Sequence, residues 1–119
     1  MATQDNLAQT EIAKRTMRQA KLVAIPLVAL CELAWVMRRG YNYSHTNTAI
    51  ALRLLTEADN VACDRAAVRA GLAILDAGGD FADGVIAHEG KWLGGETFVS
   101  FDKEAVTLLS KAGHATKLL

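Results

Sequence analysis

The stretch 22–37, LVAIPLVALCELAWVM, constrains the fold more than any other part of the sequence. It is the longest apolar run and is broken only by Pro26 and Glu32. It is too short for the roughly 20 apolar residues that a membrane-crossing helix needs, and it carries an ionisable group. Proline lacks an N–H and is best tolerated in the first turn of a helix. The run therefore predicts a short buried strand over 22–25 followed by a core helix over 26–39, with Gly40 as its stop. Helices against strands in close succession point to a layered α/β fold.

The rest of the chain continues that alternation. Residues 5–20 predict a helix with a loose apolar stripe of Ala8, Ile12, Ala13, Met17 and Ala20. Ser44 can cap a helix reaching Glu57, with Ile50, Leu54 and Leu55 facing inward. Residues 60–63 predict a second short strand. Asp64 can cap a helix carrying Val68, Leu72 and Leu75, which Gly78-Gly79 ends. Asp80 can cap another over 81–92, stopped by Gly94-Gly95. The β-branched and aromatic run 97–101 is the best strand by composition. A helix over 103–111 and a short strand near 116–118 follow. Strands alternating with helices predict a parallel sheet.

The totals set the remaining bounds. A chain of 119 residues suits one compact domain, and 51% hydrophobic residues are enough for a core. A single proline argues against long disordered linkers. The charges balance at 13 basic and 13 acidic, a poor composition for broad coating of DNA. That balance leaves room for an enzyme that grips one or two phosphates through a metal. Cys31 and Cys63 lie far apart and form no C-x-x-C pair, so reduced thiols are expected. The start, MATQDNLAQTEIAKR, has no signal-peptide core, and a cytoplasmic location is expected.

Function in a parallel α/β sheet usually sits at the carboxyl ends of the strands. Asp102 directly follows the strand ending Ser100-Phe101. Asp80 and Asp83, three apart at a helix start, can face one side. Glu32 is the only charge in its apolar helix. Carboxylates that converge repel by roughly 4 kcal/mol per pair at about 4 Å and an effective dielectric near 20. A divalent cation removes that repulsion, and oxygen-only ligands favour Mg²⁺ or Mn²⁺. Each acid also has an ordinary reading: Asp64, Asp80 and Asp102 as helix caps, Asp83 as a surface residue. Arg38 and Arg39 end a helix, where they complement the dipole or grip a phosphate. Trp35 and Trp92 are expected in the core or at a dimer interface. The histidines 45, 88 and 114 show no ligand spacing, and His88-Glu89 is expected to face solvent.

Three segments together resemble a known family. IPLVALCELAWVMRRGY resembles the strand, proline-led helix, glutamate and Trp-Val-x-Arg-Arg ending of PIN-domain ribonucleases. GGDFADGVIAHEG resembles their D-x-x-D-x-x-I-A helix start, with Gly84 where alanine is usual. ETFVSFDKEA resembles their late strand ending in Thr or Ser, any residue, Asp. The motifs occur in the family's order over about residues 20–110, and the branch most resembled is the VapC-like toxin of toxin–antitoxin pairs.

The resemblance implies a three-layer α/β PIN-like fold with a parallel sheet and a metal-dependent endoribonuclease using Mg²⁺ or Mn²⁺. It implies that Glu32, Asp83 and Asp102 serve the metal, with Asp80 and Ser100 as secondary members. It also implies an RNA substrate, a cognate antitoxin and a homodimer. The family's first, central strand, ending in Asp-x-Asn, has no counterpart, because no apolar strand precedes Asp5-Asn6. Its absence implies two half-sheets with unpaired edges and one fewer carboxylate. A start upstream, a decayed gene, or another chain filling the gap would each account for it. A start upstream or a shortened chain is favoured, and an inactive module that binds an antitoxin is the alternative to the nuclease.

Overall fold

The computed structural model describes residues 4–119, with side chains from residue 7 onward; Asp5-Asn6 therefore lies outside the described side chains. The elements run α1 (Gln4–Gln19), β1 (Val23–Ala24), α2 (Leu27–Trp35), a π-helical turn (Val36–Gly40), α3 (His45–Thr56), β2 (Val61–Ala62), α4 (Arg65–Asp76), α5 (Phe81–Trp92), β3 (Phe98–Ser100), α6 (Lys103–Lys111) and β4 (Thr116–Leu118). No helix among the described residues is long and apolar enough to cross a membrane.

The strands form two separate parallel pairs, β1 with β2 and β3 with β4. Val23 sits opposite Val61 and Ala24 opposite Ala62. Phe98, Val99 and Ser100 face Thr116, Lys117 and Leu118. The fold is thus α/β with small parallel sheets.

The core lies where α2, α3, α4 and α5 meet, around Leu30, Ala34, Leu52, Leu72, Leu75 and Phe81. A smaller cluster of Ile74, Ala87 and Leu109 joins α4 and α5 to α6, with Phe98 of β3 packed against it. The helix starts follow local chemistry. Ser44 accepts a hydrogen bond from the Asn47 N–H, and Asp64 from that of Ala67. Pro26 is the cap residue of α2, in the extended conformation usual at that position, and the helix begins at Leu27 rather than at 26.

Several inward assignments change. In α3 the buried positions are Thr48, Ala49, Leu52 and Thr56, while Ile50 and Leu54 are exposed. The two threonines bury because their hydroxyls donate to the Ser44 and Leu52 carbonyls, leaving their methyl groups to pack. In α1 only Met17 of the expected stripe is even half-buried within the helix, and Ile12 is exposed. The helix is tethered at its end, where the Asn60 amide donates to the Met17 and Ala20 carbonyls. Trp35 and Trp92 are exposed, 63% and 85%, and neither belongs to the core. His88 is half-buried rather than solvent-facing.

Helices α4 and α5 approach closely enough for backbone to touch backbone. A Cβ on Gly84 would collide with the Ala70 carbonyl oxygen and lie 2.7 Å from the Gly71 Cα. A Cβ on Gly71 would lie 2.7 Å from the Phe81 ring. Gly84 is therefore a packing requirement, although glycine costs a helix about 1 kcal/mol in propensity. Overpacking a tight site costs about 1–3 kcal/mol, and here the obstacle is backbone, which yields least. Gly84→Ala is expected to lower stability by about 1–3 kcal/mol in urea unfolding. Equal or greater stability would mean that propensity outweighs the close approach.

Candidate functional site

The corner between α4 and α5 positions the site. Helix α4 ends at Gly78, whose φ of 95° is a left-handed conformation suited to glycine. The Gly79 N–H then returns to the Ile74 carbonyl at 2.9 Å. A Cβ on Gly79 would meet the Leu108 side chain, so the turn lies flat against α6. This brings the start of α5, with Asp80 and Asp83, beside the start of α6, with Asp102 and Glu104.

These four acids line one cavity of about 260 Å³. Arg38 and Arg39 from the π-helical turn and His45 from the start of α3 line it too. The cavity is therefore bipolar. Among the described residues the single ion pair joins Arg53 to Asp76 at 2.6 Å, elsewhere on the surface. Neither arginine of the cavity is ion-paired with any of its four carboxylates.

Asp83 is the most perturbed group. Its carboxyl is pushed up to about 6, first by burial and then by the charges of Asp80, Asp102 and Glu104. A helix N-terminus favours an acid by about 0.3–1 kcal/mol, which would act in the opposite direction. Burial and repulsion win. Asp80 occupies the cap position of α5 but makes no side-chain cap bond, contrary to the capping role, so its carboxylate stays available. Asp102 does cap α6: its Oδ1 accepts the N–H groups of Glu104 and Ala105 at 2.9 and 3.2 Å. Ser100 does not hold a carboxylate. Its Oγ accepts the Asp102 backbone N–H at 2.9 Å and fixes the strand-to-helix turn.

Glu32 does not join them. It is exposed on α2 and lies outside the cavity lining. It also lies outside the smaller adjoining cleft of about 60 Å³, which Trp35, Arg39 and Asp80 help to line. The structure thus brings Asp80, Asp83, Asp102, Arg38 and Arg39 together and leaves Glu32 out.

Two cavity residues escaped the sequence. Glu104 was legible only as an acid in the first turn after Asp102. His45 was set aside for lack of a second histidine at ligand spacing. Arg38 donates to His45 Nε2 at 3.2 Å and to the Tyr43 carbonyl.

The donors are carboxylate oxygens, which suit a hard divalent cation in kind. Among the described residues, however, no three His, Cys, Asp or Glu side chains are gathered closely enough to enclose an ion. Asp80, Asp102 and Glu104 are exposed.

No protein-family model matches the chain, and no curated protein or solved structure matches it significantly. The chemistry of the cavity therefore carries the functional argument alone.

The Asp83 shift has a consequence for stability. A carboxyl raised from 3.8 to about 6 on folding binds protons more tightly in the native state. Stability from this group is complete below the lower value and is lost as pH rises through the upper one. Asp83→Asn removes the charge with little change of shape. It is expected to raise Tm by a few degrees at pH 7.5, a gain that vanishes near pH 3.5; Asp83 is about half exposed, so solvent screening keeps the effect small. Thermal melts of both proteins at the two pH values check this. A lower Tm for the variant at pH 7.5 would contradict it.

Proposed function

We propose that this chain is a metal-dependent endoribonuclease of PIN-like, three-layer architecture, a VapC-like toxin held in check by a cognate antitoxin. The observation that carries the reading is the bipolar cavity, in which a half-buried Asp83 of raised pKa sits among three further acids and shares the lining with two arginines with which it makes no ion pair. Such a separation of charge suits a ligand that is itself bipolar: a cation carrying a phosphodiester.

Asp83 would hold the cation, with Asp80 and Asp102 as its neighbours and Glu104 as a further acid. Mg²⁺ or Mn²⁺ bound there would supply water activation and neutralise charge on the phosphate. Asp102 keeps one oxygen outside the cap bonds, which both go to Oδ1. Ser100 holds the turn that aims it. Arg38 and Arg39 face the phosphate oxygens. Glu32, exposed and outside the cavity lining, is given no role in holding the cation. Trp35 and Trp92, exposed and apolar, suit a homodimer or antitoxin contact, and the toxin acts in the cytoplasm.

A labelled single-stranded RNA is expected to be cut in Mg²⁺ or Mn²⁺ and left intact in EDTA. Asp83→Asn and Asp102→Asn are each expected to reduce cleavage by about 100-fold or more, within the range for loss of a positioned charge. Asparagine is as good a helix cap as aspartate, so Asp102→Asn tests chemistry rather than folding. Undiminished cleavage by Asp83→Asn would reject the site.

A second reading is favoured by the ungathered donors and by the two short half-sheets with open edges. On it, the chain is an inactive PIN-like module that binds an antitoxin. It predicts no RNA cleavage and no rise in Tm on adding Mn²⁺, with antitoxin binding retained. A Mn²⁺-dependent rise in Tm counts against it.

A further inference from the structure

The basic wall of the cavity is built in a way that the acidic wall is not. Helix α2 passes into a π-helical turn at Val36–Gly40, closed by the Tyr41 N–H on the Val36 carbonyl at 3.0 Å. A π-turn holds more residues per revolution than the about 3.6 of an α-helix, so consecutive side chains diverge less. This lets two neighbours, Arg38 and Arg39, line one cavity. The turn departs from regular helix where the two cations stand, and single π-turns frequently mark functional sites.

Arg38 is fastened from behind. Its Nη1 donates to the Tyr43 carbonyl and its Nη2 to His45 Nε2. A guanidinium has donors only and stays charged. The contact therefore uses the lone pair of His45 Nε2 as the acceptor. Of the five N–H donors of a guanidinium, these two bonds leave three for a ligand. Arg39 has no hydrogen bond or ion pair among the described residues and is free to adapt.

We propose that Arg38, Arg39 and His45 form a phosphate-binding wall, with His45 a positioning residue that holds Arg38 aimed into the cavity. The ligand class is a backbone phosphate of single-stranded nucleic acid. That this nucleic acid is RNA rests on the nuclease reading; the wall itself rests on the unpaired guanidiniums and their mounting. Planar guanidiniums take two phosphate oxygens at once, which an ammonium does not, so an arginine pair fits this ligand better than lysines would.

The test is binding without cleavage. A fluorescein-labelled single-stranded oligoribonucleotide is titrated with the full chain in EDTA over a series of salt concentrations. Arg38→Ala and Arg39→Ala are each expected to weaken binding about 10-fold. Each is also expected to flatten the slope of log K against log salt by about 0.7. Arg38→Lys should keep the slope and still weaken binding, because charge remains while the two-pronged geometry is lost. His45→Ala should weaken binding about 5-fold, while His45→Gln, whose amide oxygen can accept from the guanidinium, should restore it to within about 2-fold.

Absence of RNA binding by the unaltered chain at low salt overturns the proposal, as does binding unchanged in both arginine-to-alanine variants. Equal loss in His45→Gln and His45→Ala, each with a Tm matching the parent, overturns the positioning role. The two readings separate cleanly. Binding lost in the arginine variants without metal-dependent cleavage by the parent keeps the wall and rejects the nuclease. Cleavage with undiminished binding in those variants keeps the nuclease and rejects the wall.

Discussion

The backbone contact between α4 and α5, made possible by glycine at 71 and 84, is the constraint on which the rest depends. A Cβ at position 84 would meet the α4 backbone and one at position 71 the Phe81 and Val85 side chains, and the Gly78–Asp80 corner joins the two helices. That corner delivers Asp80 and Asp83 to the start of α6. It also seats Phe81 against Gly71, so the same contact closes the core and sets the site. The acids cluster because the helices pack, and burial with mutual repulsion is why the Asp83 carboxyl is pushed up to about 6.

The two signs of charge enter the cavity from different elements. The acids enter from α5 and α6, whereas the arginines enter from the end of α2, one of them fastened by His45 and the Tyr43 carbonyl. A guanidinium tied back in this way is not free to swing across and neutralise a carboxylate. A cavity with both signs on its walls retains an unspent field, and the proposed cation and phosphate are the ligands that such a field selects.

Features set by local chemistry were legible in the sequence. Pro26, Ser44, Asp64 and the Gly78 stop mark element boundaries because each acts within one turn. The convergence of Asp80, Asp83 and Asp102 was also legible, through strand-end placement and helical spacing. Features that depend on tertiary neighbours were not. The inward face of α3 was assigned to Ile50 and Leu54, whereas Thr48 and Thr56 bury with their hydroxyls bonded to the preceding turn. The α1 stripe read as inward, but little of the described chain covers it. Glu32 stood out as a lone acid in an apolar helix, yet it lies outside the cavity lining. His45 and Glu104 carried no spacing signal of their own.

The account stands or falls on a divalent ion lodging between the starts of α5 and α6. Titration of the ¹⁵N-labelled chain with substoichiometric Mn²⁺, followed by amide NMR, measures this directly because paramagnetic broadening is local. Amides of 80–83 and 102–104 are predicted to broaden first, ahead of those around Glu32. Broadening first at other acids, such as Glu57 or Asp59, or none that is selective, would contradict the account.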